Sequence, residues 1–183
     1  MTGSLCHRVG PGRLPYTDRR DVGGGVAMAA TALLAAALWV AVLTALWLVA
    51  PDSAGVGLVL GFGLFSPLAV LGALLVGTAL WRYWVPAHPD PVRGGVAGGL
   101  TVLASLVPVA IAFGGLLAAT NLDAVTLAAA VGALVDFGMG ATIAYFGATV
   151  LTGWLAVPLG LFGGWYHERA RRDRDTDPGA ATV

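Results

Sequence analysis

Lysine is absent from this 183-residue chain, cysteine and glutamate occur once each, and charged residues make up 11% against the roughly 25% of an ordinary soluble domain. Each scarcity excludes something. A lone Cys6 cannot close an internal disulfide, and His7, His88 and His167 are too scattered in sequence to suggest a metal-ligand set. Neither a metal nor any other cofactor is therefore expected. Ten arginines balance ten acids, nine Asp and Glu168, so there is no cationic surplus to hold nucleic acid. No Ser-His-Asp set, phosphate-binding loop or carboxylate dyad can be assembled at a workable spacing, so the expectation is a protein without catalytic residues and not an enzyme. The dominant property is instead that 57% of residues are hydrophobic, in long uncharged runs, which defines a small polytopic membrane protein.

A helix crossing the ~30 Å hydrocarbon core needs about 20 predominantly apolar residues, because each rises ~1.5 Å and lipid offers the backbone no hydrogen-bond partner. Three stretches meet this directly: residues 26–50, 56–81 and 94–120. The first two are separated only by Pro51-Asp52-Ser53-Ala54 and form a helical hairpin. The apolar region from Ala124 to Trp165 is 42 residues, about 63 Å if wholly helical, twice what one span requires. Asp136-Phe137-Gly138-Met139-Gly140 is the expected interruption, since two glycines lower helix propensity and an aspartate can cap a new helix. The fold expected is thus an all-α membrane protein, a bundle of four transmembrane helices. The last span covers 141–165 and is preceded by a short interfacial or re-entrant helix over 124–135. Residues 1–25 are expected to be a mobile cytoplasmic segment, and 167–183 a cytoplasmic tail.

Orientation follows from arginine, because positively charged loops stay cytoplasmic during insertion. Arg8, Arg13, Arg19 and Arg20 precede the first span, Arg82 and Arg93 join the second and third, and Arg169, Arg171, Arg172 and Arg174 follow the fourth. The two opposite loops carry Asp52 and Asp123 and no base. Four spans with both termini cytoplasmic, in the cell membrane, satisfy the rule without exception. Trp81, Tyr83, Trp84, Trp165 and Tyr166 fall at the same interface, where amphipathic rings settle. Arg19-Arg20 ahead of an apolar run does not make a cleaved twin-arginine signal, since the run is long and lacks a clear small-residue cleavage site.

Residues 22–33 match residues 92–103 at seven of twelve positions, at a constant offset of 70. Duplication and shared Ala, Gly, Val and Leu content both account for this; if it is a duplication, the chain is two tandem helical hairpins in parallel orientation.

Helices in lipid gain little from apolar contact, so small residues must bring them close. In the third span Gly94, Gly98, Thr101, Ser105, Pro108, Ala112 and Gly115 recur at steps of three and four. In the fourth, Thr149, Gly153, Ala156, Gly160, Gly163 and His167 do the same. Both faces are expected to pack helices of this chain, and they are candidates for contact with a second copy or another membrane protein. Pro67, Pro108 and Pro158 are candidate helix breaks, each removing a backbone donor, with Ser66 and Ser105 placed to relieve the freed carbonyls. Asp136 is the one ionisable residue inside the long apolar region. It is either a candidate intramembrane polar site or the solvated cap of the last span. In the tail, Glu168 precedes Arg172 by four residues, which predicts a solvated, salt-bridged helical extension whose arginines reach anionic headgroups.

These features give the lipid bilayer as the first partner. Two functional expectations result: a non-catalytic accessory or assembly component working through helix packing, and, alternatively, a small oligomeric transporter or channel using Asp136 and proline-broken helices.

Overall fold

The computed structural model describes residues 19–49, 63–120 and 126–176, with side chains to residue 173. Four helices account for almost all of it: α1, Arg20–Val49; α2, Ser66–Tyr83; α3, Pro91–Thr120; and α4, Leu127–Thr176. All four are long and apolar enough to cross a membrane. They run alternately up and down. Each packs on its neighbours in sequence, and α1 closes the ring against α4, so the chain is a four-helix bundle of a multi-pass membrane protein. Its surface is inverted relative to that of a soluble protein. Leu33, Leu48, Leu64, Leu75 and Val150 face outward, while the largest fully enclosed side chains are Trp81, Met28, Glu168 and Thr101.

Local chemistry explains where helices begin. Asp90 caps α3 through its Oδ1, which accepts from the amides of Val92 (3.1 Å) and Arg93 (3.2 Å), and Pro91 occupies the first turn, where its missing N–H costs nothing. Thr126 caps α4, its Oγ1 accepting from the Ala129 amide at 3.1 Å. Pro67 lies in the first turn of α2, so it starts a helix and does not break one. Residues 56–62 of the expected second span lie outside the described residues.

Two expected boundaries are corrected. The helix α1 begins at Arg20, so residues 20–25 belong to it and not to a mobile segment. Gly23, Gly24 and Gly25 are poor helix formers, but all three are buried, Gly24 against Trp81 and Gly25 against Thr78 of α2, and tertiary packing outweighs propensity there. The expected interruption at 136–140 is likewise absent. α4 runs unbroken for 50 residues, about 75 Å, and residues 127–135 are its first turns, not a separate interfacial or re-entrant helix; 124 and 125 lie outside the described residues. Gly140 is buried, and its Cα lies against α3 where a side chain would meet Leu117 and Gly114, so contact with α3 compensates its low propensity. Pro108 and Pro158 sit inside continuous helices and do not break them.

Candidate functional site

The polar chemistry of the bundle converges at its arginine-rich end, on a residue expected to be solvated. Glu168 is fully buried. The indole Nε1–H of Trp81 donates to its Oε1 at 2.8 Å, and the amide of Asp90 donates to its Oε2 at 3.2 Å. Arg171 Nη1 donates to both oxygens, at 2.7 and 3.0 Å, and Arg171 Nη2 continues to the Ala87 carbonyl at 3.1 Å. One carboxylate therefore ties together α2, the α2–α3 loop, the start of α3 and α4. The His167 ring, also buried, meets the Trp81 ring edge-on at 5.8 Å. A buried ion pair survives only when its remaining lone pairs and protons are satisfied, and these four donated hydrogen bonds meet that condition. Beside it, Arg20 Nη2 donates to the Arg82 carbonyl at 3.1 Å, capping the last turn of α2.

Glycines admit this cluster. A Cβ on Gly24 would overlap the Trp81 ring, and one on Gly94 would overlap the Glu168 side chain. Each hairpin thus opens at a glycine to take in one bulky residue, and the two bulky residues bond to each other. Gly24 and Gly94 are the residues that the offset of 70 superimposes.

The small-residue faces divide once seen in three dimensions. Gly94 and Gly98 lie against Gly160 and Gly164 so closely that a Cβ on Gly98 would collide with the Gly160 carbonyl. Thr101 is buried and its Oγ1 donates to Ala97 O at 2.8 Å. Ser105, higher on the same stripe, faces α2, where its backbone lies 3.0 Å from a Cβ built on Gly72. Its Oγ donates to Val102 O at 2.7 Å and not to the carbonyl freed by Pro108. Gly115 and Gly153 leave the faces: Gly115 opens onto empty space and Gly153 would touch only Thr149 of its own helix. Gly114, not singled out from sequence, takes the contact with Phe137 and Ala141.

Asp136 lies within α4, half-buried, and Thr126 takes the capping role expected of it. It is 29 residues from Trp165, about 43 Å along the axis, which exceeds the ~30 Å hydrocarbon thickness if the Trp165 ring marks the opposite boundary. On the same helix Pro158 and Glu168 lie 22 and 32 residues further on, about 33 and 48 Å, and no contact joins Asp136 to Pro67 or Pro108. Among the described residues no three His, Cys, Asp or Glu side chains converge as a metal site.

A cavity of about 110 Å³ lies between all four helices, partly enclosed by α1 (residues 31–40), α2 (63–69), α3 (102–109) and α4 (148–156). Trp39 borders it and meets Trp154 edge-on at 6.4 Å. The lining is apolar apart from hydroxyl groups, of which those of Thr31, Ser105 and Thr152 donate to carbonyls of their own helices. Left empty, a void of this size would cost on the order of 2–3 kcal/mol in lost contacts.

Sequence reasoning missed Glu168. The signal was present: Gly160 and Gly164 continue by one further step of four to Glu168, so the chain's single glutamate lies on the face of α4 that packs against α3. The cavity has no comparable signal, because alanine lines helix contacts and voids alike. No protein-family model, curated protein or solved structure matches the chain.

Proposed function

We propose that this chain is a non-catalytic accessory or assembly component of the cell membrane, with both termini cytoplasmic, that works by presenting a fixed helical surface to another membrane protein. Glu168 is the observation that supports this most: the one fully buried carboxylate among the described residues is surrounded by donors that hold helices together, an arrangement suited to rigidity and not to turnover. The close glycine faces of α3 and α4 are occupied within the bundle, so a partner would meet the outward faces. On α4 the backbone at Gly132, Gly138 and Gly147 is open. The transporter reading has less support, since Asp136 lies beyond hydrocarbon depth on the estimate above and the prolines leave their helices continuous.

The test is cross-linking in native membranes followed by purification of the tagged chain. The expected result is stoichiometric recovery of a second membrane protein, reduced at least fivefold by Gly147→Leu with thermal stability unchanged. Recovery of the chain alone, together with an ion flux in proteoliposomes that Asp136→Asn abolishes, would replace this reading with the transporter.

A further inference from the structure

We infer that the cavity between the four helices is a binding site for the end segment of one hydrocarbon tail of a membrane lipid. Depth is the first support. Measured from Trp165 along α4, the lining residues Ala156 and Ala148 lie about 14 and 26 Å away, inside the ~30 Å hydrocarbon layer and at the level of lipid tails. Chemistry is the second. Most of the wall is apolar, and of its polar side-chain groups the hydroxyls of Thr31, Ser105 and Thr152 donate to their own helices at 2.7–2.8 Å, which leaves the Ser66 hydroxyl and the Trp39 indole as the polar hydrogens that line a space otherwise suited to methylene groups.

Shape is the third support. The walls come from four helices of one chain, so the space of about 110 Å³ is too narrow for a further helix. It is of the same order as the ~150 Å³ apolar cavities that stay dry and take up small hydrophobic molecules. Alanines on facing helices, among them Ala36, Ala69 and Ala148, create the room. Membrane helices associate largely through van der Waals contact, so walls facing a void forfeit the interaction that holds them, and a tail in the cavity restores it. The surrounding bilayer supplies such tails at very high local concentration.

The experiment uses the full chain reconstituted with phospholipids carrying a photoactivatable diazirine either at a tail end or in the headgroup. The tail probe is expected to label the cavity-lining residues Ser105, Ala148 and Thr152, read residue by residue because Val107, Val150 and Trp154 on the same peptides face outward, with labelling of the lining residues reduced at least fivefold in Ala36→Leu, which fills the cavity from α1. Ala69→Leu fills it from α2 and serves if the first variant does not fold. Native mass spectrometry of the unlabelled protein identifies the source of the tail, since acyl and isoprenyl lipids differ in mass. The inference is overturned if wild type and folded filled variants label equally at Ser105, Ala148 and Thr152. It is equally overturned if the filled variant melts at a higher temperature while the wild type retains no lipid, which is the behaviour of an empty cavity.

Discussion

Arg171 and Glu168 stand three residues apart on one helix, yet their ion pair differs from the surface pairs that such spacing usually makes. The carboxylate is wholly buried and the guanidinium side chain is 15% exposed, so water compensates little if one partner is lost. Arg171→Met leaves a buried, uncompensated charge and is expected to cost about 3–5 kcal/mol. The double variant Arg171→Met/Glu168→Gln should recover part of that loss, because it removes the charge as well as its partner. Trp81→Phe keeps the ring against Gly24 and deletes one hydrogen bond to a charged acceptor, at about 1.5–3 kcal/mol. Denaturant titration in detergent micelles measures all three, and a double variant less stable than Arg171→Met would contradict this account of the pair. A run of Arg and Asp after an apolar span reads as solvated because burial depends on what the preceding helices bring to that level. Here the loop 84–90 folds back over α4, and only the tertiary structure reveals it.

Between elements, glycine has two opposite roles that composition cannot separate. Gly98 is where two helix backbones touch, so Gly98→Ala must push α3 and α4 apart, and a loss of 1–3 kcal/mol or more is expected. Gly138 faces open space on a continuous helix, so Gly138→Ala removes a propensity penalty and is expected to stabilise by up to about 1 kcal/mol. Melting temperatures of the two variants decide the matter, and a destabilising Gly138→Ala would restore the break expected at 136–140. The four-span bundle and the inward face of α3 from Gly94 to Ser105 were legible from hydropathy and spacing, because lipid imposes a length and small residues mark contact, whereas the extra short helix expected over 124–135 is, from Leu127 on, part of α4. Helix continuity was not legible, since whether a glycine interrupts a helix depends on the neighbour it packs against. Pro67 misled for a related reason: mid-span by hydropathy, it lies in the first turn of the described helix.

At the scale of the molecule, the described arginines and the ring of Trp81, Tyr83, Trp84, Trp165 and Tyr166 gather at one end of the bundle. Placing that end in the cytoplasm predicts that a membrane-impermeant thiol reagent labels Cys6 only after permeabilisation. In a chain with Cys6 replaced, Ala130→Cys and Asp136→Cys should label in intact cells, because both positions lie about 43 Å or more along α4 from Trp165. Protection of both under all conditions would put the start of α4 inside the membrane and Asp136 with it. Two hairpins meeting at Trp81 and Glu168 also give the internal similarity a physical meaning, since Gly24 and Gly94 perform the same task at corresponding positions.

The position of Glu168 along the chain has a consequence in time. Its hydrogen bonds reach back to Trp81, 87 residues earlier, and to Asp90, 78 residues earlier. The helices can pack through their glycine faces as they are made, but the polar fastening at the arginine-rich end cannot form until α4 has been translated past Arg171. A chain that ends before residue 168 therefore leaves the Trp81 indole without its acceptor, however completely its first three helices have formed.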